Sequence, residues 1–233
     1  MKRTVIRAEP THASVLARLP YFVGWRPRLW VPTVRWLLGD PARFQGKTVL
    51  ELGCRSGRMS CLFGLLGAEV LGVELPGVSL EPARQEAVCA GVTDRVRFRN
   101  YSGDPATLPE ADFDFVFTKS VLVMIPTLQP FITAVARKLK PDGQLLAAEN
   151  LAGGWLVQFL RRVIMHSCRG KAFLDRFHGV DAALLATLTG SFTIIEQRTS
   201  SWLVAGIRAR RRCESQTSMS VHGEPQAPAW TVP

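Results

Sequence analysis

The sequence has no Cys-x-x-Cys pair, no long apolar run and no His/Cys cluster at zinc spacing. Its five cysteines are Cys54, Cys61, Cys89, Cys168 and Cys213, an odd number set mostly in apolar surroundings. The expectation is therefore free thiols, most of them buried, in a reducing compartment, with neither a disulfide framework nor a structural metal. No apolar stretch approaches the roughly 18 to 20 residues that span a bilayer. The opening "MKRTVIRAEPTH" has the charge of a signal peptide but no hydrophobic core behind it. It is read as cytoplasmic, without a cleaved leader.

What is present is a balance of 47% apolar and 21% charged residues over 233 positions. That is the composition of one packed domain with a few dozen residues of appendage. The net charge of +10 suggests nucleic acid until it is divided along the chain. Residues 1–45 carry eight basic side chains against Glu9 and Asp40, residues 207–233 four arginines against two glutamates, and the centre is close to neutral. The charge belongs mainly to the arm, which weakens a bulk argument for DNA or RNA.

From Lys47 onward, short apolar runs alternate with helical patterns. "KTVLEL", "AEVLGVEL", "RVRFRN", "FDFVFT" and "GQLLAAEN" read as strands, the last opened by the turn "KPDG". Helices are expected over 56–66, 79–90 (stopped by Gly91) and 128–139. This rhythm predicts an α/β fold, a doubly wound parallel sheet covered on both faces. After Asn150 the rhythm changes: an amphipathic helix over 155–166, a short helix over 181–188, then "FTIIEQ" and "SWLVAGI" as adjacent strands. The division is a basic aromatic arm or lid (1–45), a central domain (46–207) and a polar tail (208–233) expected to be disordered.

The densest signal is "VLELGCRSGRMS", Val49 to Ser60, a strand entering a glycine turn and then a helix. Such turns bring backbone N–H groups and a helix N-terminus to one point, where polar ligands bind. Gly53 and Gly57 are in place, while Arg55 stands where a middle glycine is usual. Glu74 ends the next strand about 20 residues on, the distance at which a carboxylate takes ribose hydroxyls. Asp104 follows the third strand, so three consecutive strand ends each offer a ligand group. A nicotinamide-binding loop would carry a third glycine where Arg58 stands.

From Thr48 to about Ile207 the chain resembles the class I S-adenosylmethionine-dependent methyltransferases. The resemblance rests on "VLELGCRSG", "AEVLGVEL", "SGDPATLP", "FDFVFTKSVLVMIP" and "RKLKPDGQLLAAEN". It implies a Rossmann-like seven-stranded sheet, mostly parallel, with a C-terminal antiparallel hairpin, and S-adenosylmethionine as cofactor. It also implies that Glu51 and Gly53 border the methionine moiety, with Cys54, Arg55 and Gly57 in the same loop. Glu74, with Leu75 beside it, would hold the ribose, Asp104 would lie near the adenine, and Thr118 and Lys119 would face the sulfonium and the acceptor. The pieces "ELGCRSGRMS", "FTKSVL" and "AENLAGGWLVQFLRR" are also similar to a bacterial subgroup associated with polysaccharide or glycolipid assembly. Arg55 would then turn outward to pair with Glu74 or Asp104, or reach an acidic group on substrate or cofactor.

The acceptor is read partly from what is missing. Strand four ends in "TKSV" and not in the Asn/Asp-Pro-Pro-aromatic motif of amino-methylating DNA and RNA enzymes, and no cysteine has a Pro-Cys context. A hydroxyl on a small molecule, sugar or glycolipid is the leading expectation, and no metal is called for. An alcohol needs a general base, for which Glu149, Lys119, His166 and His178 are the candidates. The stretch "YFVGWRPRLWVPTVRWLLG" interleaves Trp25, Trp30 and Trp36 with Arg26, Arg28 and Arg35. It suits a helical segment packed over the domain, a peripheral membrane contact or, less well, a nucleic acid. An RNA methyltransferase using the arm, or a non-catalytic binding module of the same fold, stand as alternatives.

Overall fold

The apolar runs are strands, and their period of two divides the core into two layers. The computed structural model describes residues 11–151, 179–201 and 203–212. The strands are β1 (Thr48–Leu52), β2 (Glu69–Glu74), β3 (Val96–Asn100), β4 (Phe113–Lys119), β5 (Leu139–Asn150), β6 (Phe192–Ser201) and β7 (Val204–Arg211). They form one sheet in the order β3-β2-β1-β4-β5-β7-β6. The first five run parallel to one another, and β7 runs antiparallel to both β5 and β6. The expected seven-stranded sheet with its C-terminal hairpin is therefore what the chain adopts.

The helices are α1 (His12–Ala17), α2 (Leu19–Val23), α3 (Pro27–Leu38), α4 (Arg58–Leu65), α5 (Glu81–Ala90), α6 (Leu128–Lys138) and α7 (Ala182–Thr189). Val49, Val70, Phe115, Phe117, Leu146 and Ala148 point to one face of the sheet, where helices α1 to α5 contribute to the core. Leu50, Leu52, Val116, Leu145 and Ala147 point to the other face, under α6 and α7. This is the alternation that a pleated strand imposes on successive side chains. Phe44, Phe63, Phe115 and Phe117 bind the first layer as a chain of tilted rings 4.9–5.2 Å apart.

Helix ends follow local chemistry. Gly91 closes α5 in the left-handed conformation, as read from the sequence. The carboxylate of Asp181 caps α7 by accepting the Leu184 N–H at 2.8 Å. The helix after the glycine turn begins at Arg58, two residues later than expected, because Gly57 is still left-handed at φ +72°. Strand β5 begins at Leu139, ahead of the "KPDG" turn, and its register with β4 jumps from Phe113–Leu139 to Phe115–Gln144. Lys140 to Gly143 thus stand opposite Asp114 alone, three residues in excess on one strand of the ladder.

One boundary differs from the sequence reading. Strand β7 continues to Arg211, past the boundary set at 207, so "RARR" is ladder and not tail. Ala209 faces the core while Arg208, Arg210 and Arg211 are not buried, an alternation that composition alone hides. In the arm, Trp30 and Trp36 turn toward the sheet. Trp36 lies so close to β7 that a Cβ at Gly206 would come within 2.6 Å of its ring. The Arg208 guanidinium stacks on that indole at 4.5 Å. The predicted helix 155–166, with His166, Cys168, His178, Cys213 and nearly all of the tail, lies outside the described residues. Cys54 and Cys61 are buried free thiols and Cys89 is an exposed one.

Candidate cofactor and active site

In an open α/β sheet, ligands bind beyond the carboxyl ends of the strands where the strand order reverses. Here the reversal falls between β1 and β4, because β2 and β3 lie to one side of β1 while β4 and β5 lie to the other. Glu51, Glu74, Thr118, Lys119, Glu149 and Asn150 all occupy this edge.

The glycine turn is fastened to β2 by backbone. The Gly53 and Cys54 N–H groups both donate to the Val73 carbonyl, at 2.9 and 3.0 Å, and Gly57 N–H donates to the Cys54 carbonyl at 2.8 Å. Arg55 takes the left-handed conformation at φ +46°, which glycine adopts freely and arginine rarely does. Its backbone N–H donates to Glu74 Oε2 at 2.9 Å, and the Leu75 N–H donates to Oε1 at 2.9 Å. Arg55 is therefore linked to Glu74 through its main chain, not through the guanidinium pairing that the sequence suggested. The side chain of Arg55 is exposed. Ser120, at the end of neighbouring β4, is also left-handed at φ +58°. Two strained non-glycine residues at adjacent strand ends mark a place where the surrounding structure overrides local preference.

Gly57 is confined on both counts. A Cβ there would meet Phe98 at 2.7 Å and Ala83 at 2.8 Å, in a left-handed backbone. Gly57→Val is expected to lower stability by about 2 kcal/mol or more. A urea melt of the variant at the wild-type midpoint would show that the turn can open instead.

The β4–β5 side is built around Glu149. Its side chain is 0% exposed. Oε1 accepts from the Thr118 hydroxyl at 2.8 Å, the Val121 N–H at 3.2 Å and the Leu122 N–H at 3.3 Å, while Oε2 is buried without a partner. Thr118 is accordingly committed to Glu149. Asn150 Nδ2 donates to Ser120 Oγ at 2.8 Å, which completes the link between the two strand ends. Lys119 is half-buried, with Nζ 4.4 Å from the centroid of the Trp30 ring of α3. Burial lowers its pKa from the usual lysine value, and Arg55 lowers it further, against the pull of Glu51 and Glu149.

Burial pushes Glu51 up to about 8, although the Ser60 hydroxyl donates to its Oε2. Burial likewise pushes Glu149 up to about 7, against the hydrogen bonds it accepts. The folded chain thus holds protons on both groups that the unfolded chain gives up near the ordinary value of 4.5. Their contribution to stability is complete below that value and is lost as pH rises through about 7 to 8. The urea midpoint is expected to fall between pH of about 5 and about 8.5, and Glu149→Gln to flatten much of the slope. A midpoint that does not fall over this range would mean both groups are ionised in the fold.

Of the residues singled out from sequence, Glu51, Gly53, Cys54, Arg55, Gly57, Glu74, Leu75, Lys119 and Glu149 lie along this edge. Asp104 follows β3, is exposed, and uses Oδ1 to cap its own 3-10 turn through the Ala106 N–H at 2.9 Å. Sequence reasoning missed Ser60, Ser120 and the placement of Trp30 on Lys119. Ser60 had a signal, since it lies just inside the helix after the turn, while Trp30 had none beyond its helical spacing. A separate cleft of about 660 Å³, lined by Val70, Leu71, Val88, Arg97 and Glu110, opens at the β3 edge instead. It contains none of these strand-end residues.

The donor set at the crevice fits a nucleoside cofactor. Glu74 ends β2 with each oxygen oriented by one N–H, and an ionised carboxylate has lone pairs left for two more donors such as a ribose diol. Fold and site together define an open α/β protein whose switch point suits an adenosine-type cofactor.

Residues 50–147 match the family described as "Methyltransferase domain". A ubiquinone biosynthesis O-methyltransferase of Cereibacter sphaeroides is 29% identical over 111 residues, 48% of this chain and 44% of that protein. Its namesake from Paracidovorax citrulli is 34% identical over 103 residues, 44% of this chain and 43% of that one. The chain thus spans less than half the length of these curated relatives. Among solved structures, magnesium protoporphyrin IX methyltransferase of Synechocystis PCC 6803 with bound S-adenosylhomocysteine aligns with a TM-score of 0.61. That alignment has 19% identity and covers 88% of this chain and 90% of that one, a likeness of fold. Residues 50–147 thus carry the methyltransferase domain of that family, and the fold is that of solved S-adenosylmethionine-dependent methyltransferases. S-adenosylmethionine is the cofactor of that family.

Proposed function

We propose that the chain transfers a methyl group from S-adenosylmethionine to a hydroxyl of a small-molecule acceptor. The observation that carries this reading is Glu74, held at the end of β2 between the N–H groups of Arg55 and Leu75. Oxygen as the acceptor atom is supported by the relatives named as O-methyltransferases. The resemblance to polysaccharide- and glycolipid-associated enzymes keeps sugars and glycolipids in the acceptor panel.

When bound, the cofactor supplies an electrophilic methyl group on a sulfonium. The chain's task is to place and deprotonate the acceptor. Glu149 acts as a positioning residue: fully buried, it binds Thr118, Val121 and Leu122 and so fixes where Lys119 and Ser120 project. In this reading Lys119 takes the hydroxyl proton, which its half-buried position at the end of β4 and its lowered pKa support. Titration calorimetry with S-adenosylhomocysteine, followed by radiolabelled methyl transfer to a panel of phenols, sugars and glycolipids, tests the reading. A folded protein that does not bind the cofactor product at millimolar concentration would remove it.

A further inference from the structure

We propose that the corner between α2 and α3 is a docking surface for an anionic lipid bilayer. Of the three tryptophans that the arm interleaves with arginine, the fold turns two toward the sheet and leaves one outside. Trp30 is 3% exposed, whereas Trp25, five residues earlier, is 71% exposed, with Tyr21 at 43% beside it. The corner itself is strained outward: Gly24 has φ +71°, and Arg26 is left-handed at φ +53°. The Arg26 guanidinium lies 4.4 Å from the Trp25 ring centroid, and that of Arg58 lies 4.5 Å from the Tyr21 ring.

Charge is one-sided here. Arg18, Arg26, Arg28 and Arg35 are exposed, and no acidic residue occurs between Thr11 and Gly39. The carboxylate facing the patch from elsewhere is Glu86 of α5, which accepts the Tyr21 hydroxyl at 2.9 and 2.7 Å. A protruding indole with a guanidinium stacked on it, on an arm whose other arginines are exposed, matches a membrane interface, where the ring sits at headgroup depth and guanidiniums meet anionic phosphates. Single-stranded nucleic acid would instead want a row of stacking platforms, and one outward tryptophan does not make a row. Among the described residues no helix is long and apolar enough to cross a membrane, so the contact is peripheral. Arg58 opens α4 directly after the glycine turn, and α3 carries Trp30 onto Lys119. The docking corner therefore adjoins the carboxyl edge of the sheet. The proposal stands apart from the methyl-transfer reading.

The test is flotation of the full chain with vesicles of phosphatidylcholine alone and with about one third phosphatidylglycerol. The protein is expected to float with the anionic vesicles, not with the neutral ones, and to be released by high salt. Each arginine at such a surface contributes about fivefold in partitioning, so the double variant Arg26→Glu/Arg28→Glu should lose at least about tenfold. Trp25→Ala should lose several-fold, and Trp25→Phe should abolish a blue shift in emission that wild type shows on vesicle binding. All these side chains are exposed, and unchanged circular dichroism and melting midpoints confirm that the variants fold. Absence of flotation with anionic vesicles overturns the proposal. So does flotation that the corner variants leave unchanged, or corner-dependent binding of single-stranded RNA without vesicle binding.

Discussion

Glu74→Ala is expected to lower affinity for S-adenosylhomocysteine by about 10²- to 10⁴-fold, because two charge-assisted hydrogen bonds at about 1.5–3 kcal/mol each are removed. The loss has a second origin in the fold. The same carboxylate binds the Arg55 and Leu75 N–H groups, so alanine also unfastens the crest of the glycine turn from β2. Glu74→Gln separates the two contributions, since the amide oxygen keeps one backbone bond while the charge is gone. Calorimetry on the three proteins gives the answer directly. If alanine at 74 binds as tightly as wild type, the crevice at β1 and β2 is not where the ribose lies.

Lys119→Met is expected to lower kcat by about 10²- to 10⁴-fold, the span associated with a positioned general base. Cofactor-product affinity should stay within a small factor, because the side chain contacts Trp30 and not the glycine turn. Lys119→Arg distinguishes proton transfer from charge: arginine keeps the cation but cannot deprotonate. The wild-type rate should rise with pH to a midpoint below the ordinary lysine value of 10.5, and that rise should vanish in the methionine variant. An unchanged kcat would move the search for the base to His166 and His178.

The sheet was legible because each strand is a short apolar run bounded by turn residues, and the parallel order follows from alternation with helices. The strand-end acids were legible for the same reason: Glu51, Glu74 and Glu149 occupy fixed positions relative to runs that could be counted. What could not be read was which partner each group takes once folded. Arg55 suggested a side-chain ion pair, yet its backbone N–H makes the contact, because a left-handed φ turns that N–H toward β2. Thr118 was read toward the cofactor, but a strand end beside a buried carboxylate satisfies that carboxylate first. The arm was the hardest case. Alternating Trp and Arg has the same composition whether the indoles face in or out, and the helical turn of α3 decides it by burying Trp30 and exposing Arg28.

The place of β7 in the sheet bears on how the chain is made. Strand β6 is synthesised first, yet β7, which follows it, is the one that reaches β5. Until residues 204–211 have left the ribosome, the outer edge of β5 has no neighbour and β6 has nothing to pair with. Part of the arm waits as well, because α3 lies on β7 through Trp36 and Gly206 and on β6 through Thr33 bonded to Ser200. A nascent chain therefore carries an open β5 edge, and an arm without its β6 and β7 contacts, until residue 211 is made. Such pairings across most of the chain length form slowly and expose sticky surfaces meanwhile. Assembly of the sheet is completed by β7, and α3 and the β6–β7 hairpin settle into place together.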